Sequence, residues 1–134
     1  MTPTSAPALL PTADHIVPLK DAYANGASAW TQGLAIDFAN DWYGMELVTA
    51  SAQTNNSTYA YPNGKSDQSI EEWQPPNTAY VCAYAELWVA IKYQWNLRID
   101  NVTVANLPGR PGNGYTEAGY LSALLNNTAP NGCT

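Results

Sequence analysis

A stripe of large apolar side chains in the second half of the chain constrains the fold more than any other feature. Its members recur three or four positions apart and are Tyr80, Tyr84, Leu87, Trp88, Ile91 and Trp95. Because this spacing places side chains on one face of an α-helix, the pattern predicts an amphipathic helix over residues 78–95. The helical period favours packing of these rings in the core over an exposed base-stacking platform. We therefore expect one long scaffold helix.

Shorter patterns on either side of this helix predict a mixture of strands and helices. Extended segments are predicted at 13–17, 46–50 and, as an edge strand, 98–104, and helices at 19–24, 32–42, 51–55 and 116–126. Thr31 is the expected N-cap of the helix at 32–42. The side chains expected to face inward are Leu34, Phe38 and Trp42 in that helix and Tyr120, Leu121, Leu124 and Leu125 in the last one. This mixture is typical of a small α+β domain.

Length and composition favour a single globular domain. A chain of 134 residues can bury one core but is too short for two independent ones. No apolar run approaches the roughly 18 residues that span a bilayer, so a membrane role is not expected. Residues 1–12 contain three prolines and are predicted to be a flexible lead-in. The folded domain is expected to cover residues 13–134.

The charge balance argues against strong electrostatic binding of nucleic acid. The formal net charge is −6 and the pI is near 4.3, whereas phosphate binding normally draws on clustered Lys and Arg. The five basic residues are scattered and are Lys20, Lys65, Lys92, Arg98 and Arg110. A bound divalent cation would supply part of the missing positive charge.

Cysteines and glycosylation patterns bear on the compartment in which the chain works. Cys82 and Cys133 are the only cysteines, and a bridge between them would contribute roughly 4 kcal/mol through loop entropy. Two reduced, buried cysteines are the alternative. Acceptor patterns for N-linked glycans occur at Asn56, Asn101 and Asn126. The first residues lack the features of a signal peptide, so either the N-terminus is truncated or the protein stays inside the cell.

His15 is the only histidine, which excludes zinc sites built on a histidine pair. A single histidine is more often structural than catalytic, but here Asp14 precedes it in an extended segment. Adjacent side chains in a strand point to opposite faces, so Asp14 and His15 cannot form a simple hydrogen-bonded dyad. At a twisted strand end, the carboxylate can hold a metal while the imidazole activates water.

The run Asp14-His15-Ile16-Val17-Pro18-Leu19 resembles the catalytic strand of the secreted HNH-family nucleases of fungi and actinobacteria, which belong to the ββα-metal group. The similarity continues in family order through blocks at 26–31, 38–41, 47–51, 65–67, 72–76, 80–85 and 88–92, with Asn55 between the third and the fourth. Each block is short, but together they cover the chain from about residue 13 onward.

The resemblance implies a ββα-metal core with additional helices and a metal-dependent endonuclease activity. By position, His15 is the general base, Asp14 and Asn55 belong to the metal site, and Lys65 is a phosphate contact. Mg²⁺ or Mn²⁺ is the expected ion, with Zn²⁺ as the alternative. The resemblance further implies a secreted, monomeric protein that acts on nucleic acid, with DNA favoured over RNA.

The chain also departs from the family pattern. Residues 58–64 are an insertion between Asn55 and Lys65, and Ser66 stands where the family has glycine. Positions at which relatives commonly carry basic residues are here Ala35, Asn56 and Glu86. The region that precedes the catalytic strand in the family is missing, which implies a fragment or a divergent form.

Other interpretations exist for the role of Asn55 and for the function of the chain. Asn55 would otherwise satisfy backbone amides in a turn or carry a glycan, for which Asn56 is the better acceptor. Two other functions compete with the endonuclease. One is a catalytically inactive secreted domain that retains the HNH fold, which the acidic charge favours. The other is an extracellular glycan-binding module, which would need exposed aromatic rings in a row, away from His15.

Overall fold

The computed structural model describes residues 11–55, 64–101 and 115–134, which form a small domain of helices and a two-stranded sheet. In chain order the elements are β1 (Pro11–His15), α1 (Leu19–Ala24), a 3₁₀ helix (Ala27–Ala29), α2 (Gln32–Ala39), β2 (Leu47–Ser51), α3 (Ala52–Asn55), a second 3₁₀ helix (Thr78–Tyr80), α4 (Val81–Gln94) and α5 (Glu117–Leu125). This mixture is compatible with the predicted α+β class. Within the described ranges no helix is long and apolar enough to cross a membrane.

The sheet pairs β1 with β2 in antiparallel register, from Pro11 opposite Ser51 to His15 opposite Leu47. β1 therefore begins two residues earlier than predicted. α3 follows β2 directly and packs against both strands. At the last residue of α3, the side-chain amide of Asn55 donates to the Ala13 carbonyl of β1, at 2.9 Å. β2 and α3 thus both contact the strand that carries Asp14 and His15.

Helix α1 has the predicted bounds, and α4 confirms the scaffold helix. The Asn77 side chain caps the 3₁₀ turn that leads into α4 by accepting from the Ala79 amide at 3.2 Å. Tyr84, Trp88 and Ile91 are almost completely buried on the predicted face of α4. Tyr80, at the helix start, is 42% exposed, so the stripe is buried only where other elements cover it.

The N-cap of α2 is also confirmed, because Thr31 Oγ1 accepts from the Leu34 amide at 3.2 Å. The predicted inward face of α2 is wrong except for Phe38. Leu34 is 39% exposed and Trp42 is 49% exposed. For Trp42 the physical reason is that α2 ends at Ala39, so this residue lies in the following turn instead of continuing the helical face.

The core forms where the inner face of α4 meets residues from most other elements. Its buried members are Ile16, Val17, Ala22, Phe38, Ile70, Val81, Tyr84, Ala85, Trp88, Ile91, Leu97, Tyr120, Leu121, Ala123, Leu124 and Ala129. Partly buried rings pack on this core. The ring centroids of Trp30 and Trp95 lie 5.4 Å and 5.2 Å from the ring centroid of Phe38. Burial of this apolar surface is the main contribution to stability.

The C-terminal region returns to α4 as predicted. Thr116 caps α5, and the Cys82–Cys133 disulfide is present, so the two cysteines are not reduced thiols. Leu125 was predicted to face inward but is 39% exposed at the last residue of α5, where no further helical turn covers it.

Two sequence predictions fall partly on residues that are not described. The predicted edge strand at 98–104 is not a strand at 98–101, and its remainder lies outside the described residues. Among the glycan acceptors, Asn101 and Asn126 are exposed, as glycosylation requires. Asn56 lies outside the described residues.

Candidate functional site

An open cleft of about 220 Å³ lies at the end of β1. Its lining includes Asp14, His15 and Asn55, which are three of the four residues predicted to form the site, together with Lys20 and Asp67. Asp14 and His15 are adjacent in sequence, yet both reach the cleft because it lies at the strand end.

His15 is held by helix α2. Its Nε2 lies 2.9 Å from the Ala39 carbonyl oxygen. Since a carbonyl can only accept a hydrogen bond, this contact assigns the proton to Nε2 in neutral imidazole. Nδ1 then carries the lone pair and is the nitrogen that can accept a proton. The end of α2 therefore fixes both the ring orientation and the tautomer, which are the requirements for a general base.

Lys65 lies beneath the strand end instead of in the cleft. Its side chain is 0% exposed, and its Nζ lies 3.0 and 3.3 Å from the two Asp14 carboxylate oxygens. The same ammonium donates to the carbonyls of His15 and Ile16. Its hydrogens are thus used by internal acceptors, so this geometry leaves none for a phosphate in the cleft.

The local backbone explains why Lys65 points inward. The amide of Lys65 donates to the Thr54 carbonyl and the amide of Ser66 donates to the Asn55 carbonyl, which ties this segment to α3. Ser66 has a φ of 52°, in the left-handed region that favours glycine. This is the position at which the HNH-type pattern carries glycine, so the serine keeps a glycine-like conformation.

Burial shifts the pKa values of both members of this ion pair. Removal from water raises the pKa of the Asp14 carboxyl above its ordinary value, although the adjacent Lys65 ammonium opposes the rise. Burial likewise lowers the pKa of Lys65, and Asp14 opposes that change. The pair balances two buried charges, and Asp14 also faces the cleft, so a bound cation would compensate the carboxylate further.

Asn55 is oriented by β1. Its Nδ2 donates to Thr12 Oγ1 at 3.0 Å and to the Ala13 carbonyl at 2.9 Å. Because the carbonyl can only accept, the amide orientation is fixed and Oδ1 is the remaining polar atom. Asn55 therefore ties α3 to the strand through its nitrogen, and its oxygen is the atom suited to binding a cation.

Two residues of the cleft were not among the predicted site residues. Asp67 and Lys20 form an exposed ion pair at 3.9 Å, with side chains that are 57% and 77% exposed. The signal for Asp67 was its place in the Lys65-Ser66-Asp67 segment of the family pattern. Lys20 follows the Asp14 to Leu19 run directly, but nothing in the sequence indicated that it would reach the cleft.

Glu46 is a further buried acid that the sequence did not indicate. It is 0% exposed, and its Oε2 accepts from the Val17 amide at 3.0 Å. Oε1 has no hydrogen-bond partner within the described part of the chain. Burial raises the pKa of Glu46 to about 9, so the side chain is a neutral acid near pH 7. Through its hydrogen bond with the Val17 amide, Glu46 holds the segment that follows His15 without adding negative charge.

The donor types in the cleft are those that a hard divalent cation prefers. Asp14 and Asp67 offer carboxylate oxygens and Asn55 offers an amide oxygen, which are the ligand types of Mg²⁺ and Mn²⁺. Zn²⁺ prefers nitrogen and sulfur ligands, of which this cleft contains only the imidazole. The ligand atoms of Cys82, Glu86 and Cys133 also lie within 4.8 Å of one another, but the two sulfurs form a disulfide and offer no thiolate.

Residues 2–101 match the family of GmrSD restriction endonucleases, C-terminal domain. The tethered imidazole and the oxygen donors beside it lie inside this matched region. The chain belongs to this family, which places it among nuclease domains.

One curated relative is similar to part of the chain. It is an uncharacterized secreted protein from Arthroderma benhamiae that is 34% identical over 86 residues. The match covers 64% of this chain and 39% of the relative, so the chain spans about two fifths of the relative's length. No solved structure matches the chain.

Proposed function

We propose that this domain is a metal-dependent endonuclease of the HNH type, in which β1, β2 and α3 form a ββα-metal core. The observation that carries the proposal is the convergence of Asp14, His15 and Asn55 on one cleft, with His15 held in the tautomer that a base requires. The family match supports a nuclease function.

In this mechanism His15 removes a proton from the attacking water. Ala39 holds Nε2, and Nδ1 accepts the proton, so the Ala39 carbonyl stabilises the imidazolium that forms. Asp14 and Asn55 would hold the divalent ion through oxygen atoms, and Asp67 is a further candidate ligand. The bound ion would supply Lewis-acid stabilisation of the charge that develops on the scissile phosphate and the departing oxygen.

The two lysines near the cleft have separate roles in this proposal. Lys65 was predicted to contact phosphate, but its buried ammonium is better suited to positioning Asp14 and the carbonyls at the strand end. Lys20 is exposed at the cleft and replaces Lys65 as the phosphate contact. Its pairing with Asp67 is an exposed one at 3.9 Å, so it can be exchanged for a phosphate at little cost.

The remaining expectations follow from the family and stay predictions. The disulfide fits an oxidising compartment, and the relative is named a secreted protein, which supports an extracellular location with glycans at Asn56, Asn101 and Asn126. DNA is the favoured substrate over RNA, and the protein acts as a monomer.

The test is cleavage of plasmid DNA and total RNA by the purified chain with Mg²⁺ or Mn²⁺, with and without a chelator. Loss of a general base typically costs about 10²–10⁴-fold in rate, so His15→Ala should lose nearly all metal-dependent cleavage. Tyr93→Ala is the matched control, since Tyr93 is 88% exposed and does not line the cleft. Equal inactivity of the wild type and His15→Ala would instead support the inactive HNH-fold domain.

A further inference from the structure

A turn with exposed aromatic side chains joins α2 to β2, the two elements that contact His15. It comprises residues 41–45 and is called the aromatic turn below. Tyr43 is 102% exposed, Met45 51% and Trp42 49%. Other tryptophans of the described chain behave differently: Trp88 is fully buried, and Trp30, Trp73 and Trp95 pack against the core. Neighbouring exposed rings of this kind mark binding surfaces more often than isolated apolar residues do.

The aromatic turn is joined to the catalytic strand at both ends. Ala39, two residues before it, accepts the hydrogen bond from His15, and Leu47, two residues after it, pairs with His15 in the sheet. These contacts fix where the turn starts and stops relative to the imidazole. The aromatic turn therefore starts and ends close to His15, whose side chain lines the cleft.

Hydrogen bonds within the aromatic turn hold its backbone in one conformation. The Gly44 amide donates to Asp41 Oδ1 at 2.7 Å, and the Leu47 amide donates to the Asp41 carbonyl at 3.0 Å. Met45 has a φ of 67°, in the left-handed region that side chains rarely adopt. Strained conformations of this kind persist where the surroundings hold them and are concentrated at binding sites. The rings are thus presented from an ordered support.

The charge of the protein limits what such a surface can bind. The net charge is −6, and two of its five basic residues, Lys65 and Lys92, are buried in ion pairs. Few cations remain to contact phosphates, so a nucleic acid would have to be held by uncharged contacts. Stacking of bases on aromatic rings is such a contact, and it tolerates any sequence. In a duplex the bases already stack on each other, whereas a single strand can offer them to Trp42 and Tyr43.

We propose that Trp42 and Tyr43 form a base-stacking site that selects single-stranded or unpaired nucleic acid for the neighbouring cleft. This inference rests on the proposed function for the identity of the cleft but concerns a different step, since it assigns the substrate class and the residues that bind it. Lys20 supplies the single exposed phosphate contact identified at the cleft.

Binding is measured with a short fluorescent DNA strand and with the same strand in a duplex, by fluorescence anisotropy on the His15→Ala protein with Mg²⁺. We expect the single strand to bind at least about tenfold more tightly than the duplex, because stacking is worth about 5- to 150-fold in affinity per base. With one or two phosphate contacts, raising the salt from about 50 to 200 mM should weaken binding only about 3- to 7-fold.

Three further variants in the His15→Ala background test the residues. Trp42→Ala/Tyr43→Ala should weaken single-strand binding by about fivefold or more, whereas Trp42→Phe/Tyr43→Phe retains both rings and should keep binding within a few-fold of the parent. Tyr93→Ala removes an equally exposed ring outside the cleft and should change nothing. The phenylalanine variant keeps the test decisive even if the double alanine variant fails to fold.

Three outcomes would overturn this site: equal affinity for single strand and duplex, an alanine variant that binds like Tyr93→Ala, and no binding at all. Self-association that disappears in Trp42→Ala/Tyr43→Ala would show instead that the aromatic turn contacts a second copy of the chain. The proposed function fails separately, when the wild-type protein does not cleave any nucleic acid with Mg²⁺ or Mn²⁺.

Discussion

Lys65 and Lys92 are both buried ammonium groups with hydrogen-bonded carboxylates, yet they serve different parts of the molecule. Lys92 on α4 binds Asp21 of α1, both carboxylate oxygens of Glu117 on α5 and the Arg98 carbonyl. It therefore joins the helices α1, α4 and α5. Lys65 binds one carboxylate and two carbonyls at the end of β1, where the cleft begins.

The two lysines also differ in the surroundings of their acidic partners, Glu117 and Asp14. Glu117 is 0% exposed beside Asp21, and burial together with that second carboxyl raises the pKa of Glu117 to about 8. Asp14, in contrast, lines the cleft, and 11% of its side chain is exposed. A buried pair of lysine and carboxylate thus stabilises the scaffold in one region, at Lys92, and positions a residue of the cleft in the other, at Lys65.

The largest effect on stability is expected from Lys92→Met. This change leaves the carboxyl groups of Asp21 and Glu117 buried without their ammonium partner, which typically costs about 3–5 kcal/mol. Urea denaturation followed by far-ultraviolet circular dichroism measures the loss. Cleavage per folded molecule should not change, because neither acid reaches the cleft. A Lys92→Met protein as stable as the wild type would refute the structural role.

Lys65→Met should affect the site more than the scaffold. We expect a loss of about 1.5–3 kcal/mol in stability, the usual cost of hydrogen bonds to a charged group. Loss of the group that orients a metal ligand typically lowers metal affinity or activity about 10- to 100-fold. Single-turnover cleavage at saturating metal and metal titration on the folded protein measure the two effects.

The variant Asp14→Asn/Lys65→Met sharpens the distinction between the two roles of this pair. Since it removes both charges, it should recover most of the stability lost in Lys65→Met but none of the cleavage. Equal cleavage by Lys65→Met and the wild type would show that Lys65 does not position Asp14.

A smaller effect is expected from the pH dependence of Glu46. The folded protein keeps the Glu46 proton up to about pH 9, whereas the unfolded chain releases it near its ordinary pKa of 4.5. Between these values the unfolded state binds fewer protons, so stability falls as pH rises, by about 1 kcal/mol per pH unit between about pH 6 and 8. Glu117 acts in the same direction.

Glu46→Gln should therefore remove the Glu46 contribution, about half of the combined slope from Glu46 and Glu117, since glutamine keeps the hydrogen bond from the Val17 amide but does not titrate. Thermal denaturation from about pH 6 to 8 compares the two proteins. Identical pH profiles for wild type and Glu46→Gln would show that Glu46 ionises normally in the folded protein.

Local signals predicted much of the fold. Helix α1, the Thr31 cap and the scaffold helix depend on short-range periodicity and capping, and the structure confirms them. The inward position predicted for Trp42 was wrong because this residue lies beyond the end of α2, and where a helix ends beside a neighbouring strand is a tertiary effect. Leu125 was wrong for a similar reason, since burial depends on what covers the last turn of α5.

The site was predictable only as far as residues were matched to a known pattern. That match identified Asp14, His15 and Asn55, and the structure brings them to one cleft. The sequence placed Lys65 in the site and left Asp67 out, whereas the backbone turns Lys65 inward and exposes Asp67. Which of two neighbouring polar residues is buried depends on the acceptors across the fold, here the carbonyls of β1, and these are not visible in the local sequence.

The central claim is that Asp14 and Asn55 hold a divalent cation beside His15, and calorimetric titration with Mn²⁺ tests it without relying on catalysis. We predict one ion per chain in the wild type, with affinity at least about tenfold weaker in Asn55→Ala and in Asp14→Asn/Lys65→Met. Glu86→Gln is the control, since Glu86 lies beside the disulfide and should leave the titration unchanged. Absence of binding in the wild type, or equal affinity in all four proteins, would contradict the account.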